Sequence, residues 1–186
     1  MGKLSKVAAV CRVRSMSASS NLKNVLIVDD HDVVRAGLRR IISREFEGLA
    51  FEEAGDSEEL FDRLKDFPAD IVISDIKMPG RNGIDCLKDI KGDHPDLPVI
   101  VLTAFPESEY GARSMEAGAS GFINKENVKR ELPAAILLLV LCARAIAAAS
   151  GDLVAERIRA ECGRLLEKFL YASGRARLVS KFLEGS

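Results

Sequence analysis

The sequence predicts an α/β fold: a five-stranded parallel sheet with helices on both faces, followed by a C-terminal helical extension. Short apolar runs that end in polar residues recur between residues 24 and 132. Segments with apolar residues at helical spacing fill the intervals between them. The two patterns alternate five times, as expected of a sheet whose strands are covered on both sides. A length of 186 residues fits one ordinary domain plus an extension, and a chain 47% hydrophobic and 30% charged is globular in composition.

The elements follow in order. Val25–Val28, bounded by Asp29 and Asp30, reads as a buried strand. Val33–Phe46 has apolar residues at 34, 38, 41, 42 and 46, the spacing of a helix. Leu49–Ala54 is a short strand. Ser57 is expected to cap a helix whose face carries Leu60, Phe61 and Leu64. Ile71–Ile73 is the next buried strand, ending at Ser74 and Asp75. A loop through Met78, Pro79 and Gly80 leads into a helix over Gly83–Ile90. Val99–Leu102 is a strand ending at Thr103, and a helix runs from Pro106 to Ala117, closed by Gly118. Gly121–Ile123 is a strand followed by Asn124 and Lys125. Pro133 is expected to start the last helix, where its missing N–H costs nothing.

Charge is segregated along the chain. Residues 1–23 hold five bases and no acids, and residues 24–132 hold 14 bases and 23 acids. The formal net charge of −1 rules out a strongly basic nucleic-acid binder taken as a whole. Four scattered cysteines and two histidines offer no zinc-binding spacing and suit a reducing compartment. The longest apolar run near the N-terminus, Val7 to Cys11, is too short for a secretory signal. Residues 1–23 are therefore expected to be a disordered, basic, Ser-rich tail, with Met16 as an alternative start.

In a parallel α/β sheet the working crevice lies at the carboxyl ends of the strands. Asp29 and Asp30 follow strand one, Asp75 ends strand three, Thr103 ends strand four and Lys125 follows strand five. Each alone could be an ordinary helix cap; five on one edge are harder to explain that way. Carboxylates that share such an edge repel by roughly 4 kcal/mol per pair at about 4 Å and an effective dielectric near 20. A divalent cation removes that cost, and oxygen donors suit Mg²⁺ or Mn²⁺. A hard cation beside a carboxylate suits phosphoryl transfer, in which an Asp can act as the nucleophile.

Four stretches then carry a resemblance: VLIVDDHDVVRAGL at 25–38, ADIVISDIKMPGRNGID at 69–85, PVIVLTA at 98–104 and GASGFINKE at 118–126. Residues 24–132 resemble the receiver domain of bacterial two-component response regulators, and DDH followed by Val-Arg-Ala-Gly-Leu is most similar to the NarL/FixJ (LuxR-type) subfamily. The resemblance implies a flavodoxin-like receiver fold over residues 24–149. It implies Asp75 as phosphoacceptor and Asp29 with Asp30 as an acidic pocket. Asp30, Asp75 and the backbone carbonyl of Lys77 would ligate Mg²⁺. Thr103 and Lys125 would contact the phosphoryl group, small Ala104 would leave it room, and Phe122 would turn inward on activation. His31 reads as a local structural residue. A haloacid-dehalogenase-like phosphatase would carry a second Asp two residues after the nucleophile, where this chain has Lys77.

The expected function is a cytoplasmic phosphoacceptor switch served by a sensor histidine kinase, with self-catalysed phosphorylation and hydrolysis and no free substrate. The alternative is a truncated LuxR-type DNA-binding transcriptional regulator; a module that sequesters a kinase is a third reading. Residues 150–186 are expected to be a helical linker and extension without a recognisable helix-turn-helix, and no DNA binding is expected from this chain alone. Ala134–Ala143 is apolar all round but too short to span a bilayer. Core burial and a homodimer contact are both open for it. A weak heptad seam from Ala155 to Leu183 adds to the second.

Overall fold

A computed structural model of the chain describes residues 22–78, 81–104 and 107–147. Nearly all of the basic tail, the heptad seam and the extension at 150–186 lie outside the described residues, as does Pro106. The described chain runs β1 (Asn24–Val28), α1 (Asp32–Ser43), β2 (Ala50–Ala54), α2 (Ser57–Asp66), β3 (Ile71–Asp75), α3 (Gly83–Asp93), β4 (Val99–Thr103), α4 (Glu107–Glu116), β5 (Gly121–Asn124), a 3₁₀ turn (Lys125–Asn127) and α5 (Val128–Ala147).

The strands form one parallel sheet in the order β2-β1-β3-β4-β5. Alternation along each strand sends side chains to two separate cores. Val25, Ile27, Ile71, Ile73, Ile100, Leu102 and Ile123 pack against Leu38 and Ile42 of α1 and Leu132, Ile136 and Leu139 of α5. Leu26, Val28, Val72, Val99, Val101 and Phe122 pack against Leu60 of α2, Ile84, Leu87 and Ile90 of α3 and Met115 of α4. Nearly continuous apolar strands are what burial on both faces requires. The fold class read from the sequence is the one observed.

Three local expectations change. Asp56, not Ser57, caps α2: its extended backbone (φ −152°) lets the carboxylate accept from the N–H groups of Glu58 and Glu59. Ser57 is the first helical residue and is 3% exposed. The last helix starts at Val128, so Pro133 lies inside it. The 3₁₀ turn leads directly into this helix, and the buried Leu132 makes the extra turn worth forming despite the proline. Finally, α5 is in large part a core helix, with Leu132, Ala135, Ile136 and Leu139 buried and Leu141 42% exposed.

The turn out of β3 is closely packed. Gly83 donates to the carbonyl of Ile76 at 3.2 Å, and a Cβ at Gly83 would lie 2.3 Å from that oxygen. Only glycine fits there. Asn82 caps α3 by accepting from the N–H of Ile84 at 3.0 Å.

Candidate functional site at the carboxyl edge of the sheet

Parallel pairing brings the strand ends level. Val28 of β1 is in register with Ala54 of β2 and Ser74 of β3, Asp75 with Leu102 of β4, and Thr103 with Asn124 of β5. From β1 the chain goes to β2 on one side and then crosses to β3 on the other. The edge therefore opens between β1 and β3, where a sheet of this order places its crevice. Asp29 follows β1 and Asp75 ends β3, so both stand at that opening.

Lys125 joins them. From the turn after β5 its Nζ donates to Asp29 Oδ2 at 2.6 Å and to Asp75 Oδ2 at 2.7 Å. Asp29 is fully buried, the Asp75 side chain is 8% exposed and that of Lys125 is 22% exposed. Burial works against the Lys125 charge, but the hydrogen bonds and attraction from Asp29 and Asp75 outweigh it and hold its pKa above the usual lysine value. The ammonium thus supplies the neutralisation that two close carboxylates require.

The rest of the edge is ordered around this pair. Asp29 Oδ1 accepts from the His31 N–H at 3.0 Å, and the His31 ring Nδ1 lies 2.7 Å from Asp30 Oδ1. Asp75 Oδ1 accepts from the Lys77 N–H at 3.3 Å. Thr103 is fully buried at the end of β4, and Ala104 beyond it is exposed. Phe122 is 1% exposed and already turned into the core shared with α2, α3 and α4.

The structure therefore brings Asp29, Asp75 and Lys125 into direct contact and sets Thr103 and Ala104 on the same edge. Among the described residues, the group whose ligand atoms lie within 4.8 Å of one another is Asp29, Asp30 and His31. Asp75 lies outside that group, its Oδ2 held by Lys125. The donors at the edge are carboxylate oxygens with one exposed imidazole, a set that fits a hard divalent cation such as Mg²⁺ or Mn²⁺.

Sequence reasoning missed Arg35. Its Nη1 donates to the backbone carbonyl of Asp29 at 2.6 Å, and its Nε to Glu53 Oε2 of β2 at 3.0 Å. A signal was present: Arg35 precedes Leu38 and Ile42 by three and seven residues, on the stripe of α1 that faces the core.

Strand order and strand-end chemistry define a doubly wound α/β domain with polar side chains gathered at the β1/β3 edge. The chain belongs to the response regulator receiver domain family, whose model matches residues 25–137. It is 35% identical over 116 residues to the response regulator GacA of Pseudomonas viridiflava, covering 62% of this chain and 54% of that one. It is 36% identical over 114 residues to the response regulator UvrY of Escherichia coli, covering 61% and 52%. The chain thus spans about half the length of the curated relatives it matches. The structure of a LuxR-family two-component response regulator from Aurantimonas superposes with a TM-score of 0.59 at 31% identity, covering 63% of this chain and 84% of that one. No helix among the described residues is long and apolar enough to cross a membrane.

Proposed function

We propose that this receiver is the phosphoacceptor module of a NarL/FixJ (LuxR-type) response regulator, which takes a phosphoryl group on Asp75 from a sensor histidine kinase in the cytoplasm. The observation that carries the reading is the Lys125 ammonium held between Asp29 and Asp75 at the β1/β3 opening. The phosphorus–nitrogen bond of the donor breaks as an oxygen of the Asp75 carboxylate bonds to phosphorus. Lys125 takes up one phosphoryl oxygen, and the Thr103 hydroxyl takes up a second. Exposed Ala104 presents no bulk at the entrance. Asp30, Asp75 and the Lys77 carbonyl would hold Mg²⁺ or Mn²⁺, which supplies charge neutralisation during transfer. The protein is both catalyst and substrate of this step and acts on no free substrate. The Asp75 carboxylate charge is consumed in the new bond, so an acyl phosphate of about −2 replaces a carboxylate of −1 and the edge gains about one negative charge. The phosphoryl group draws on Thr103 and Lys125, with Phe122 seated in its inward position, and the change reaches the face that carries α5. A homodimer through α5 and the segment after it is the assembly we propose.

The test is phosphorylation by acetyl phosphate with Mg²⁺, read as a mass gain of one phosphoryl group. Asp75→Asn abolishes it. A variant that labels at the normal rate removes Asp75 from its role. Asp30→Ala weakens Mg²⁺ binding in a titration, and unchanged affinity removes Asp30 from the pocket.

A second reading, a DNA-binding transcriptional regulator of which this chain is the receiver part, is favoured by one observation: relatives about twice the length of the matched region. A mobility-shift assay at physiological salt with the DNA upstream of its gene tests whether this chain itself binds DNA. The acidic balance of residues 24–132 opposes duplex binding, so no shift is expected from this chain alone. A competitor-resistant shift establishes the second reading.

A further inference from the structure

We propose that Arg35, braced by Glu53, is the positioning residue of the acidic pocket. This inference rests on the phosphoacceptor reading for its consequence, and on geometry for its cause.

The main chain at Asp29 is held on both sides. Its N–H donates to the carbonyl of Ala54 in β2 at 3.1 Å, and its own carbonyl accepts from Arg35 Nη1 at 2.6 Å. Glu53, the residue before Ala54, accepts from Arg35 Nε at 3.0 Å. One strand end, one helix and one guanidinium thus form a closed frame around a single residue. The Arg35 side chain is 19% exposed and that of Glu53 33%, so the frame is partly shielded from water.

The frame has consequences for the site because of what Asp29 carries. Its carboxylate accepts from Lys125 and from the His31 N–H. The next residue, Asp30, is an expected metal ligand. The β1–α1 junction, Asp29 to His31, has no side-chain cap of its own on α1, since His31 at the N-cap position makes none. The guanidinium is the donor on the Asp29 carbonyl, and together with the bond from the His31 N–H to the Asp29 carboxylate it sets the peptide that leads into Asp30. A planar fork can serve the carbonyl and Glu53 together, which the single ammonium of a lysine does not reproduce.

An ion pair that merely stabilised the fold would change stability alone. A positioning residue changes the pocket in protein that is still folded. The full chain, Arg35→Met and Arg35→Lys are compared by urea melts and by Mg²⁺ titration calorimetry under conditions where each is fully folded. Glu53→Gln is the second variant; it leaves Arg35 in place and loosens its brace. Losing an outer-shell partner of a metal pocket weakens affinity by about tenfold or more. Arg35→Met should show that loss in Mg²⁺ affinity, Arg35→Lys should recover part of it, and Glu53→Gln should lie between wild type and Arg35→Met. Mg²⁺ affinity equal to wild type in both Arg35→Met and Glu53→Gln overturns the proposal, whatever their melts show. Labelling by acetyl phosphate separates this result from the function: if wild type fails to label, the phosphoacceptor reading falls, while the Mg²⁺ titration still decides the role of Arg35.

Discussion

Lys125 shows how one side chain can hold a site together. Two carboxylates at the same opening, one fully buried, are stable there because an ammonium lies 2.6 and 2.7 Å from them. Replacing it leaves both charges without that partner. Breaking a fully buried pair costs about 3–5 kcal/mol, and the partial exposure of Lys125 lowers this to about 2 kcal/mol for Lys125→Met. Urea melts in EDTA should show that loss. Added Mg²⁺ should restore stability more in the variant than in wild type, because in the variant a bound cation is the remaining means of neutralising the carboxylates. Equal Mg²⁺ effects in both would show that the carboxylates are neutralised by other means. The pH dependence has a definite sign. The Lys125 pKa is raised in the fold, so its contribution is whole below the ordinary lysine range. It is lost as pH rises through the raised value.

The elements were legible in the sequence to different degrees. Buried strands and amphipathic helices were readable because burial on two faces leaves a continuous apolar run and burial on one face leaves a stripe. The five strand-end groups were readable as a set because parallel strands send all their carboxyl ends to one edge. The triangle of Asp29, Asp75 and Lys125 was not readable from spacing, since 96 residues separate Lys125 from Asp29. The place of Arg35 on the core-facing stripe of α1 was legible, but its acceptor, a main-chain carbonyl, leaves no mark on the sequence. Pro133 is a helix-start signal in the sequence, but the buried Leu132 extends α5 ahead of it.

Lys91 in α3 illustrates the same point. Its ammonium turns back to donate to the carbonyls of Leu97 and Pro95 at 2.6 and 3.2 Å, closing the loop between α3 and β4. Its stem lies under Gly118, where a Cβ would come within 3.0 Å of it. Burial lowers its pKa from 10.5 to about 8, against a small opposing effect of Asp96. The fold therefore penalises the charged form. The penalty is complete below about pH 8 and vanishes as pH rises toward 10.5. Measured against Lys91→Met by urea melts, wild type should gain stability across that window. The gain should be on the order of 1 kcal/mol, less than the full shift implies because the ammonium is still partly hydrated. A difference that stays flat with pH would mean that Lys91 titrates as a free lysine does.

Whether the face that carries α5 also joins two copies of the chain turns on how much of the helix the sheet covers. Among the described side chains of this helix, Leu132, Ala135, Ile136 and Leu139 are buried, and Leu138 and Val140 pack against the same core. The all-apolar composition is therefore largely explained by the fold. Among the described side chains of α5, Leu141 is the large apolar one left exposed, at 42%. A self-associating chain would cover it, and a core helix with one surface leucine would not need to. Sedimentation of the full chain at tens of micromolar should show a dimer, and Leu141→Arg should return it to a monomer. The same variant should melt close to wild type, because an exposed position away from the core contributes little to stability. The melt keeps the comparison honest: a monomeric variant that also loses its fold would say nothing about Leu141, and Leu141→Gln, smaller and uncharged, then takes its place. If wild type itself sediments as a monomer, α5 serves the core alone, and phosphorylation at the strand edge must reach a partner through another face.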